Sequence, residues 1–146
     1  MTMTSIEPSP LYSLVYTSTA SRPLAKSDLE HILAEARTRN EEEQVTGLLL
    51  FTEGKFMQYL EGPETNVRKI FDLIKKSSLH NQIVEVTSQP AARREYGDWS
   101  MAFLADVDAH ALPSSEDALL ISKLEAETTE ASSTAHTELA DFWNKH

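Results

Sequence analysis

The chain has 146 residues, 40% of them hydrophobic and 8% aromatic, a balance that excludes a disordered polymer and fits one domain with one core. Its 23 acidic and 13 basic side chains give a formal charge of −10, which argues against nucleic acid or anionic lipid as partner, since both need cations to displace counterions. Cysteine is absent, so disulfides, thiolate nucleophiles and Cys-ligated metal are excluded. No apolar run approaches the ~18 residues of a membrane span and no leader-like segment opens the chain, so a cytoplasmic protein is expected.

The charge is uneven. Residues 1–105 carry 14 acidic and 11 basic side chains, whereas residues 106–146 carry 9 and 2. This divides the chain into a flexible N-terminus (1–10), a folded domain (11–105) and an acidic, helical C-terminal extension (106–146).

Leu11 to Thr17 is rich in strand formers and runs into the loop Ser18-Thr19-Ala20-Ser21-Arg22-Pro23. Ser27-Asp28-Leu29-Glu30 has capping-box spacing and opens a helix whose stripe is Leu29, Ile32, Leu33 and Ala36. Asn40, tolerant of the left-handed conformation, is the expected stop. Val45 to Thr52 and Lys55 to Leu60 flank Glu53-Gly54 and read as a β-hairpin. Gly62-Pro63-Glu64 opens a second helix with proline near its first position, and Val67, Ile70, Phe71 and Ile74 form its apolar stripe.

Gln82 to Ser88 is a fourth strand by its Ile83, Val84 and Val86. Trp99 to Leu104 is a fifth, with Trp99, Met101 and Phe103 on one face. The order β-α-β-β-α-β-β, with both helices on one side of an antiparallel-rich sheet, predicts an α+β ferredoxin-like sandwich. In the extension a helix is expected from Ser114-Ser115-Glu116-Asp117 through Leu119, Leu120 and Leu124, and a second over Leu139 to Trp143.

No phosphate-binding glycine pattern is present, and the five histidines lack metal spacing. What stands out is Gln58, between Phe56 and Leu60 on one face of an apolar strand, because an amide buried there must find polar partners. Tyr16, Asn40, Trp99 and Met101 lie on buried-looking elements around it. Taken singly they fit structural duties: a core tyrosine, a helix terminator, an amide bonded to a neighbour, and core filler.

Four segments taken together carry more. Tyr16-Thr17-Ser18, Asn40-Glu41-Glu42-Glu43-Gln44-Val45-Thr46-Gly47, Phe56-Met57-Gln58-Tyr59-Leu60-Glu61-Gly62 and Asp98-Trp99-Ser100-Met101 resemble, in order and spacing, those of BLUF domains, the flavin-based blue-light sensors. The resemblance implies a flavin between the two helices, with Tyr16 as electron and proton donor and Gln58 bridging Tyr16 to the ring. It further implies Asn40 and His80 as cofactor contacts, and Trp99 and Met101 competing for the place beside Gln58 as signal relay.

The flavin implied is FAD; many relatives carry Asp-x-Arg-His after the second helix, where this chain has Ser77-Ser78-Leu79-His80, and the loss of the acidic and basic side chains leaves FMN and riboflavin open as alternatives. A short sensor without a fused effector or enzymatic activity of its own is expected, signalling to an unidentified downstream protein and forming a homo-oligomer. The alternatives are a flavin-free ferredoxin-like interaction module and an acylphosphatase-type hydrolase with Arg22 as its anion-binding residue.

Overall fold

The computed structural model describes residues 10–97, 100–105, 137–139 and 141–142. The elements run β1 (Leu11–Ala20), α1 (Lys26–Glu42), β2 (Thr46–Thr52), β3 (Lys55–Pro63), α2 (Glu64–Lys75), β4 (His80–Pro90) and β5 (Ala102–Ala105). They form one sheet in the order β4-β1-β3-β2-β5, antiparallel except where β5 runs parallel to β2. This is the expected ferredoxin-like sandwich.

Both faces of the central strands β1, β3 and β2 are buried. Leu14, Tyr16, Leu49, Phe51, Phe56 and Leu60 pack under Leu29, Ala36, Val67, Ile70, Phe71 and Ile74 of the helices. The next residues along the same strands, Val15, Leu48, Leu50, Met57 and Tyr59, point the other way and are covered by Tyr96, Leu139 and Phe142. A strand buried on both sides has no reason to alternate, which is why Leu48-Leu49-Leu50-Phe51 is an unbroken apolar run. Leu139 and Phe142 are helical and are buried against this face.

Local chemistry sets the joints. The β2–β3 hairpin turns on Glu53 (φ 51°) and Gly54 (φ 77°), both left-handed as a two-residue type I′ turn demands. At Gly47 the neighbouring strand comes so close that a Cβ would sit 1.9 Å from the Tyr59 carbonyl oxygen.

Several boundaries differ from the sequence reading. Helix α1 starts earlier, with Ala25 at the N-cap, because the Asp28 carboxylate accepts from the Ala25 N–H at 2.8 Å and is itself gripped by Arg22 at 3.1 and 3.2 Å. It also runs past Asn40, and the left-handed residue is Gln44 (φ 59°). Pro63 caps α2 and lies outside the helix, whose first residue is Glu64. Strand β4 extends to His80 and Pro90. Strand β5 starts at Ala102, because the carbonyls of Ser100 and Met101 are taken by α1 side chains and pairing with β2 begins only at Leu48↔Ala102. Trp99, residues 1–9 and the helix expected around Leu119 to Leu124 lie outside the described residues.

Candidate functional site

Strands β1 and β3 pair so that Tyr16 stands directly opposite Gln58. Side chains so placed share a face and touch. The Tyr16 hydroxyl donates to Gln58 Oε1, and Gln58 Nε2 donates in turn to the Met101 sulfur at 3.6 Å. One buried amide therefore uses its acceptor on a phenol and a donor on a thioether, a weak acceptor. All three side chains are buried.

Helix α1 supplies the bonds that bring Met101 to this point. Arg37 Nε donates to the Met101 carbonyl at 3.1 Å, and Asn40 Nδ2 donates to the Ser100 carbonyl at 2.8 Å. Burial pushes the Tyr16 phenol well above its ordinary pKa, against the opposing pull of the Arg39 charge, so the hydroxyl keeps its proton. The Phe71 ring packs against Tyr16 with centroids 5.4 Å apart.

The tyrosine and glutamine face a cavity of about 90 Å³ lined also by Ile32 and Arg39 of α1, Leu73 of α2, and His80. His80 is half-buried and both its ring nitrogens are engaged, Nε2 with the Ile74 carbonyl at 3.0 Å and Nδ1 with the Ser18 hydroxyl at 2.7 Å. The carbonyl can only accept, so Nε2 donates to it, and in the neutral ring Ser18 then donates to Nδ1. His80 thus offers the cavity its ring and no free nitrogen. Asn40, expected as a cofactor contact, is buried but does not line this cavity; it lines a separate, more polar one of about 390 Å³ with Arg94 and Ser100.

Among the described residues, Arg39 Nε and Asn40 Oδ1 at the end of α1 are buried without a hydrogen-bond partner. Unpaired buried groups cost about 1–3 kcal/mol each, and of the two only Arg39 lines the cavity that Tyr16 and Gln58 face. Arg39 was missed in the sequence, where nothing but its place beside Asn40 singles it out. The hydrolase alternative fails on the same geometry, because its Arg22 is committed bidentately to Asp28 on the surface.

An apolar cleft between two helices, floored by an oxidisable phenol and an amide able to exchange partners, defines a ligand-holding sensor domain of ferredoxin-like fold. A family model described as BLUF, sensors of blue light using FAD, matches residues 11–102. The chain belongs to this family, whose members are flavin-binding blue-light sensors.

A photoactivated adenylate cyclase subunit beta of Euglena longa is 32% identical over 112 residues, covering 76% of this chain and 13% of the relative. The chain thus spans about an eighth of that protein. Among solved structures, the dark state of BlrB, a BLUF protein, aligns with TM-score 0.68 at 27% identity over 93% of this chain and 99% of that one. Klebsiella pneumoniae BlrP1 with FMN and cyclic diGMP aligns with TM-score 0.71 at 28% identity over 90% of this chain and 34% of that one. Among the described residues no helix is long and apolar enough to cross a membrane.

Proposed function

We propose that this chain switches through the hydrogen-bonded series Tyr16, Gln58, Met101, and that it signals to a protein partner instead of catalysing a reaction itself. The observation that supports this reading is a single buried amide shared between a phenol and a thioether at the floor of the cleft. A flavin held there would supply blue-light absorption and an acceptor for an electron and a proton.

The residues present fit such a ring. Ile32 and Leu73 are apolar walls, His80 adds its ring, and Arg39 Nε, without a partner among the described residues, suits a carbonyl at the ring's edge. Tyr16, kept neutral by burial, has a proton to give together with an electron. When its bond to Oε1 breaks, the Gln58 amide is held at its other end only by sulfur and can turn or tautomerise, presenting NH₂ where its carbonyl stood. Return of electron and proton restores Tyr16 and leaves Gln58 in a second arrangement, the bistable element that a switch needs. Turning the amide releases Met101, and we assign the relay to Met101 and Trp99.

We further infer that the ring end of the cofactor is what the site selects, so that FAD, FMN and riboflavin are all accepted. Ser77, Ser78 and Leu79 carry no charge, and Lys75 is drawn onto the Phe71 ring (4.8 Å) and Asp72 (3.3 Å).

Absorption spectra before and after blue illumination test the reading. A flavin spectrum that shifts slightly red and recovers in darkness is expected; a protein that cannot be loaded with flavin overturns it. Tyr16→Phe and Gln58→Leu should each bind flavin and fail to form the shifted state, and a normal photocycle in either removes that residue from the switch.

A further inference from the structure

Strand β4 lies at one edge of the sheet and β5 at the other, so the chain between them must cross the whole sheet. On the way, Tyr96 is fully buried on the face away from the helices, where it meets Tyr59 with ring centroids 5.6 Å apart. A segment outside helix and ladder must find acceptors for its buried N–H groups elsewhere. Glu61 supplies them.

The Glu61 side chain is fully buried. Its Oε1 accepts from the Glu95 N–H at 2.6 Å and the Tyr59 hydroxyl at 2.8 Å; its Oε2 accepts from the Tyr96 N–H at 2.8 Å and the Thr46 hydroxyl at 2.7 Å. Arg94 closes the cluster, donating to Thr46 Oγ1 at 2.9 Å, to the Glu61 carbonyl at 3.3 Å and to the Gln44 carbonyl at 2.7 Å. Four donors fill an ionised carboxylate, which needs both oxygens as acceptors.

Glu61 stands on the same strand as Gln58, three residues on and facing the opposite side of the sheet. A few residues after Glu95 and Tyr96 in the chain, the Ser100 carbonyl accepts from Asn40 and the Met101 sulfur from Gln58. Resting on the flavin-sensor reading above, we infer that Glu61 is a positioning residue of the switch: its buried carboxylate sets the reach of the crossing segment and so holds the Met101 sulfur against the Gln58 amide.

Glu61→Gln in the full chain tests this. An amide offers acceptors on one side only; the Thr46 and Tyr59 hydroxyls can turn to receive its NH₂, but a backbone N–H cannot, so either Glu95 or Tyr96 loses its acceptor. The flavin spectrum is retained, and recovery of the shifted state in darkness slows about three- to tenfold, the range of one net hydrogen bond. In a Met101→Leu background the same substitution changes recovery by less than about 1.5-fold, because coupled residues are non-additive.

Wild-type recovery in Glu61→Gln, or an equal slowing in both backgrounds, overturns the inference. Should Glu61→Gln fail to fold, Tyr59→Phe, which removes one donor and keeps the ring, decides in its place: slowed recovery supports the inference and an unchanged lifetime overturns it. A wild-type chain without any light-induced shift overturns the sensor reading and the inference with it, whereas a normal wild-type photocycle with unaltered variants overturns the inference alone.

Discussion

On the helix side of the sheet the buried polar groups are sparsely bonded: Gln58 holds a phenol and a thioether, while Arg39 Nε and Asn40 Oδ1 have no partner among the described residues. On the other side a single carboxylate, Glu61, is saturated by four donors and braced by Arg94. Both sides are packed with apolar side chains, so hydrophobic burial does not separate them. What separates them is the number of bonds each polar group would lose by moving. A group with one strong and one weak partner has a second arrangement within reach; a group with four does not. The sheet thus places a movable layer and a fixed layer on the two sides of the same three central strands.

Breaking the frame common to both layers has the largest effect expected. Gly47→Ala drives a Cβ into the Tyr59 carbonyl, a backbone atom that cannot step aside, and should cost more than about 3 kcal/mol in denaturant unfolding. A mild loss would mean that β2 and β3 can part without harm.

Next comes the cover of the fixed layer. Phe142 is buried against that face, so Phe142→Ala should cost about 3 kcal/mol, read from the same denaturation curves. Near-zero loss would show that the C-terminal residues do not hold the face.

The movable layer is sharpened by a cycle in the absence of light. Gln58→Leu leaves the Tyr16 hydroxyl buried without its acceptor and should cost about 1–3 kcal/mol, whereas adding Tyr16→Phe removes the orphan and recovers much of that loss. Additive losses would mean that the two side chains do not depend on each other.

The smallest effect per group is alkaline. Burial raises the phenols of Tyr16, Tyr59 and Tyr96, with the Glu61 charge adding to the rise at Tyr59 and that of Glu95 at Tyr96. Raised folded-state values mean that the stabilisation is fully present below the unfolded pKa near 10 and is lost as pH climbs above it, by at most about 1.4 kcal/mol per tyrosine per pH unit. Denaturation midpoints that stay level above pH 10, or tyrosinate absorbance from all four tyrosines of the folded chain at that pH, would contradict this.

The fold was readable because its cues are local. Glu53-Gly54 can hardly be other than a tight turn, and the stripe Val67, Ile70, Phe71, Ile74 is buried throughout. The Tyr16 and Gln58 pairing was legible as a demand, since a strand amide between Phe56 and Leu60 needs a partner, although which partner depends on register. What the sequence hid is non-local. The start of α1 depends on Arg22 holding Asp28, and the start of β5 on side chains of Arg37 and Asn40 some 60 residues away. Glu61 reads as a polar residue at the end of a strand, and only the crossing segment turns it into a buried hub.

The series Tyr16, Gln58, Met101 takes one residue from β1, one from β3 and the last from just before β5, in a region that follows nearly everything else in the domain. Contacts so distant along the chain form late in folding, after the loops between them have been closed. Light sensitivity should therefore be acquired in one step at the end of folding: a partly folded chain can own its tyrosine and its hairpin and still be blind.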